Sequence, residues 1–398
     1  TATTPVYRGG SNQYTGMPAN ANMFQFRRIY LGYNYEISKR FSAEFLLAAE
    51  DNFNNGLDQQ SKTPATAGSA GDILANGKFA PYVKLANVRW KNIWHGSDLV
   101  FGMQNTPAFA KQGRNDQTAE EVWGYRSIER TITDIRRTPS FDMGASLQGW
   151  FDNKGNFGYV AMVGNSTSAK PETDNYKSLY GDLFAKFFNK RLVVDLYQDY
   201  TKSVWGQYVP VSSTNAHLGN NGPLYRDRNM TKLFVAWQTK MLTVGVEVFH
   251  NTLMGDAIVG GKDGQTYYRT TNAMGYSLFV KGRIYKDQLG FFARYDGYDP
   301  SGNLSNVAAD KNVKTISFAT SQYDATTKEQ FVTFGFDYTP IKNVHIMPNV
   351  WLNTYNSALS NTGSNAAGTK YSTMNSNIVG SAGTDAVYRL TLYYIYGK

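Results

Sequence analysis

The chain has 398 residues, 41% of them hydrophobic and 15% aromatic, with 28 Tyr, 23 Phe and 37 Gly but no Cys. That length exceeds one ordinary soluble domain, yet no linker divides it, so residues 1–398 read as one domain. The missing cysteines exclude disulfides and thiol chemistry. A formal charge of +9 and a pI near 9.3 favour anionic partners or a cationic interior, but Lys and Arg are scattered and form no stripe or run, which argues against nucleic acid.

No run of about 18 apolar residues occurs, so helical membrane spans are excluded, and the mean hydropathy of -0.44 would pass for a soluble protein. The period of the pattern says otherwise. Fifteen stretches alternate apolar and polar residues, each of roughly 10 residues, about the length a tilted strand needs to cross the hydrocarbon layer. The opening Thr1-Ala2-Thr3-Thr4 has no initiator Met, basic region or apolar leader, as removal of a signal peptide would leave it.

In chain order, the first clear strand covers 24 to 37, with Ile29, Leu31, Tyr33, Tyr35 and Ile37 on one face and Arg28, Tyr30, Asn34 and Glu36 on the other. It turns at Ser38-Lys39-Arg40 into a strand with Phe41, Ala43, Phe45, Leu47 and Ala49 outward. Short turns recur near 94 to 97, 152 to 156, 189 to 190, 239 to 240, 286 to 288 and 340 to 343. Long polar connections lie near 51 to 78, 105 to 140, 165 to 176, 202 to 229, 253 to 272, 299 to 328 and 358 to 385. The last strand places Tyr388, Leu390, Leu392, Tyr394 and Tyr396 on one face and Val387, Arg389, Thr391 and Tyr393 on the other. Short turns at one end and long loops at the other predict an all-β fold, a transmembrane antiparallel β-barrel of about 16 strands. The sixteenth strand is expected near residues 3 to 8 or upstream. Tyr33, Tyr35, Trp90, Phe187, Phe188, Tyr338 and Tyr394 fall near the short-turn ends, as an interfacial girdle would.

The third connection, 105 to 140, is the longest between two strands and the most charged. Its stretch Glu120-Glu121-Val122-Trp123-Gly124-Tyr125-Arg126 reads as a helical turn or two. Folded into the lumen, it would narrow a sixteen-stranded barrel; folded outward, it would leave its charges solvated. Arg27-Arg28-Ile29-Tyr30-Leu31-Gly32, then Gly102-Met103-Gln104-Asn105-Thr106-Pro107, then Ile128-Glu129-Arg130, resemble stretches of the phosphate-selective porin O and P family, especially its Bacteroidetes-type members. The resemblance implies a trimeric outer-membrane barrel whose third loop carries the constriction, with Arg130 at the narrowing and Glu129 orienting it. It departs where the family commonly has Lys; here that place is Asn105.

Face by face, Arg28, Arg89, Lys281, Arg283, Arg294 and Arg389 point inward with the acidic residues Glu36, Glu44, Glu50, Asp195, Asp199, Glu247, Asp296 and Asp337. Constriction or solute-binding candidates are Arg126, Glu129, Arg130, Arg136 and Arg137 in the loop, with Arg28, Arg89, Arg283 and Arg294 on the wall. The expected activity is passive diffusion of small hydrophilic solutes with a mild preference for anions. Partners would be the bilayer and lipopolysaccharide, small anionic or polar solutes, and two further copies of the chain. Four histidines, His95, His217, His250 and His345, show no metal-ligand spacing, so no metal or cofactor is expected. Two rival expectations stand beside this one: a closed barrel that serves as a scaffold in a larger envelope assembly, and a barrel enzyme using His250.

Overall fold

In a computed structural model the chain forms one antiparallel sheet. The described residues are 26–50, 81–110, 118–124, 140–168, 175–202, 215–219, 227–300, 304–308, 310–318, 326–356 and 383–396, with a few isolated positions besides. Strands β1 (Arg28–Glu36), β2 (Phe41–Glu50), β3 (Tyr82–Trp94), β4 (Ser97–Asn105), β5 (Phe141–Trp150) and β6 (Phe157–Gly164) follow one another in space as in sequence. They continue through β7 (Ser178–Phe187), β8 (Leu192–Thr201), β9 (Arg228–Gln238), β10 (Leu242–Gly261), β11 (Thr266–Tyr285) and β12 (Leu289–Asp299). The wall ends in β14 (Lys328–Ile341), β15 (Val344–Asn356) and β16 (Gly383–Tyr394). Each neighbour is antiparallel, so this meander is the wall of a β-barrel.

Fifteen strands form the wall, and the sixteenth strand of the sheet is β13 (Val313–Phe318), which leaves the wall order to pair with β10. After fourteen antiparallel steps, the edge strands β1 and β16 run in the same direction. Among the described residues no ladder joins them. The wall strand expected over residues 3 to 8 lies outside the described residues.

All seven expected short turns are present, and they close on local chemistry. Ser38 Oγ accepts from the amides of Arg40 and Phe41 at 3.2 and 3.1 Å, and Thr239 Oγ1 does the same for Met241 and Leu242 at 3.3 and 2.9 Å. Asp152 accepts from the amides of Phe157 and Asn156 at 3.0 and 2.7 Å, and these bonds, Phe157's first, hold its carboxyl below the ordinary value. Such turns keep the alternation in phase, so outer positions such as Leu31 (67% exposed), Phe101 (67%) and Leu390 (66%) all face away from the interior. Aromatics cluster at the short-turn end, with Phe41 stacked on Trp90 at 5.5 Å and Phe157 set edge-on to Phe187 at 5.6 Å.

One expected loop is corrected. Residues 253 to 272 are not a polar connection: β10 and β11 each run 20 residues and continue as a hairpin past a register shift between Leu253 and Ala257. The stretch misled because Gly255, Gly260, Gly261 and Gly264 punctuate it like a loop. Residues 299 to 328 likewise hold a short helix, α2 (Leu304–Ala308), and β13. Leu218, Ala257, Val259, Tyr267, Leu304 and Val313 bury one another in a small apolar core at this end. Polar ties close it: Arg269 donates to the His217 carbonyl at 2.9 Å, and His217 Nε2 lies 2.8 Å from Asp310.

Candidate functional site

The third connection leaves β4 and returns to β5 through a closed neck, where the Thr106 amide donates to the Ser140 carbonyl at 3.1 Å. Just before it, Gly102 has φ +123, and a Cβ there would stand 2.3 Å from the Ala86 carbonyl oxygen. Only glycine lets β4 approach β3 so closely. Beyond the neck, Thr118 starts a short helix, α1 (Ala119–Trp123), with a reciprocal cap. The Glu121 amide donates to Thr118 Oγ1 at 3.2 Å while the Thr118 amide donates to the Glu121 carboxylate at 2.9 Å. Gly124 at φ +74 ends it in the left-handed conformation.

This segment packs inside the wall. Trp123 lies edge-on to Phe279 at 4.0 Å, within an apolar cluster that includes Ala119, Val122, Val193, Phe234 and Ala236. Ala108 and Phe109 enter a second cluster with Met162, Tyr197, Met230 and Phe249. Two lysines fasten the loop to the far strands. Lys281 Nζ donates to the carbonyls of Val122 and of Trp123, the latter at 3.3 Å, at the C-terminal end of α1, where a cation is favourable. Lys232 Nζ donates to the Ala108 carbonyl and stands 3.6 Å from Glu247, with both side chains buried.

The wall candidates are dispersed. Arg28 lies at the long-loop end of β1 and Arg283 beside the short turn after β11, at opposite ends of the barrel. Arg89 is paired with Asp98 at 2.8 Å and donates to Gln148 at 3.3 Å. Arg294 is paired with Asp296 at 2.7 Å, and its guanidinium lies 5.1 Å from the Trp123 ring and 4.8 Å from that of Phe331. Arg294 is thus the one wall candidate set against the loop helix among the described residues. Arg389 lies 4.0 Å over Trp351. Arg126, Glu129, Arg130, Arg136 and Arg137 lie outside the described residues.

Sequence reasoning passed over Lys232. Its signal was present: in β9 it alternates with Leu233, Val235 and Trp237, which places it inward between Met230 and Phe234. His250 stands exposed on the outer face of β10, between the buried Phe249 and Asn251. Among the described residues no group of His, Asp and Glu side chains is placed to hold a metal ion.

No family model and no curated protein matches this chain. Among solved structures, it is similar to the outer-membrane protein OmpT of Vibrio cholerae, with 11% identity and a TM-score of 0.46 over 92% of this chain and 89% of that one. It is also similar to OmpF of Salmonella typhi in complex with daunomycin, with 9% identity and a TM-score of 0.48 over the same shares. OpdK of Pseudomonas aeruginosa with vanillate gives 11% identity and a TM-score of 0.39 over 83% of this chain and 88% of that one. These are likenesses of strand layout.

Proposed function

We propose that this chain is a porin of a Gram-negative outer membrane, a single barrel passing small hydrophilic solutes by diffusion with a mild preference for anions. The observation that carries the reading is the third connection, whose described residues are held inside the wall by Lys232 and Lys281. A loop so fixed narrows a channel and leaves a water path along the opposite wall. Outward apolar faces on every wall strand, with aromatics toward the short-turn end, fit a bilayer and lipopolysaccharide around the barrel. The inner charges include Arg28, Arg89, Arg283 and Arg294 beside comparable numbers of carboxylates, so the preference for anions is weak. By resemblance, Arg130 with Glu129, and Arg126, Arg136 and Arg137 around them, set the narrowest point; phosphate is one of the anions it would pass. The assembly is a homotrimer on the same ground, and no catalytic step is assigned.

The test is single-channel current of the purified protein in a planar bilayer, with the reversal potential read across a salt gradient before and after Arg130→Ala. An anion-signed potential that shrinks in the variant is expected. A folded, heat-modifiable barrel that carries no current overturns the porin reading in favour of a closed scaffold.

A further inference from the structure

Beneath the third-loop helix, toward the short-turn end, lies a cavity of about 310 Å³, at the lower edge of the roughly 300–1,000 Å³ typical of small-molecule sites. Trp123 and Gly124 contribute to it from the loop, and the short-turn ends of β10, β11, β12, β14 and β15 complete it. Its apolar surface includes Phe279 and Phe292. Lys240, Lys281, Arg283 and Lys286 line it against two carboxylates, Asp287 and Asp337. The balance is cationic.

Both carboxylates are already engaged. Asp287 accepts from one guanidinium nitrogen of Arg283, and Asp337 Oδ1 lies 2.7 Å from His345 Nδ1. Donors remain in excess. Among the described residues, Arg283 uses only that one nitrogen, and His345 is held by its Nδ1 alone, 3.1 Å from Thr339 Oγ1 as well as beside Asp337, which leaves its Nε2 without a hydrogen bond there. Trp123, only 2% exposed, carries an indole N–H without a hydrogen-bond partner among the described residues, which is uncommon for a buried donor. A cavity with aromatic walls and surplus cationic donors is built for a ligand with one charged end and a planar apolar body.

We infer that this cavity binds a small monovalent organic anion, a cyclic or aromatic carboxylate, with its charge toward Arg283 and Lys281 and its ring against Trp123, Phe279 and Phe292. This goes beyond passive diffusion: it gives the barrel a resident subsite beside the third-loop helix. Inorganic phosphate offers charge but no apolar body, so it leaves the aromatic surface uncovered.

Isothermal titration of the full-length protein in detergent with benzoate tests this, with acetate, phosphate and benzyl alcohol as comparison probes. The titration needs no current, so failure of the porin reading would leave its result standing. Benzoate is expected to bind at least tenfold more tightly than any of the other three. Arg283→Gln should weaken benzoate about tenfold, the loss of one charge-assisted hydrogen bond. Asp287→Asn, which releases the bound guanidinium nitrogen, should tighten it. Both variants change exposed side chains beside a turn, and unaltered heat-modifiability verifies their fold. No benzoate binding, benzyl alcohol or phosphate binding as tightly as benzoate, or benzoate affinity unchanged in either variant overturns the site.

Discussion

Two arcs of the same wall differ in what their inner faces meet. Along β7 to β12 and β14 to β15 the inner positions are buried: Tyr197, Met230, Phe234, Phe279, Phe331 and Trp351 touch the loop or one another. Along β16, β1 and the short-turn half of β2 the inner positions are half-buried or exposed, and most are polar: Arg28, Asn34, Glu36, Ser42, Glu44 and Thr391. Identical strand geometry thus serves two purposes. The packed arc holds the loop by burial of apolar surface, and the open arc keeps its groups hydrated. The described part of the loop stands against the packed arc.

The largest effect should come from the ties of the packed arc. Lys232→Met removes the amine from a buried pair and leaves Glu247 inside without its cation, a loss of about 3–5 kcal/mol. It is read as a lower midpoint for the heat-induced mobility shift on a gel; a double variant with Glu247→Gln should recover much of it. If Lys232→Met is neutral, the loop is not fastened there. Trp123→Ala should cost a similar amount, about 3–5 kcal/mol, because the side chain fills the space between α1 and Phe279. Greater open-channel noise should accompany it, since α1 then loses its aromatic contact with Phe279.

Gly102→Ala acts on the neck that both arcs share. The added methyl meets the Ala86 carbonyl at φ +123, so a loss exceeding about 1 kcal/mol is expected, visible as reduced refolding yield from urea. On β3, beside the open arc, Arg89→Gln breaks a partly exposed pair with Asp98 and should cost no more than about 1 kcal/mol. Its signature is electrical: a shift of reversal potential toward cations with stability nearly unchanged. A large stability loss instead would place Arg89 with the packed arc.

The smallest effect concerns the outer end. The Asn312 amide, then the contact with His217, holds Asp310 below the ordinary carboxylate value. A carboxyl with a lowered folded value contributes stability above its unfolded value and loses it as pH falls through the folded one. Hydrogen exchange at Tyr267 and Val313 should therefore accelerate below the ordinary carboxylate range, and Asp310→Asn should remove that pH dependence.

Much of this was legible in the chain. Strict alternation in β1 and β16 assigned Leu31, Tyr33, Leu390 and Tyr394 outward, and the seven short turns followed from Ser38, Asp152, Thr239 and similar residues that satisfy amides locally. Even the two arcs were written there. β9 is apolar on both faces, with Met230, Phe234 and Ala236 against Leu233, Val235 and Trp237, whereas β1 is apolar on one face only. The glycines of 253 to 272 concealed a hairpin, because a sheet continued beyond the membrane no longer needs an apolar outer face to specify it.

The sequence by itself determined strand period, which face meets lipid and which end carries short turns, since each depends on residues one or two apart. Only the tertiary structure decided that α1 lies against Phe279, that Lys232 and Lys281 hold the loop, and that Trp123, Arg283 and His345 line one cavity. Those pairings join residues far apart in the chain, in strands several places apart around the wall. Barrel curvature and the length of the neck set those distances, and no local pattern records them.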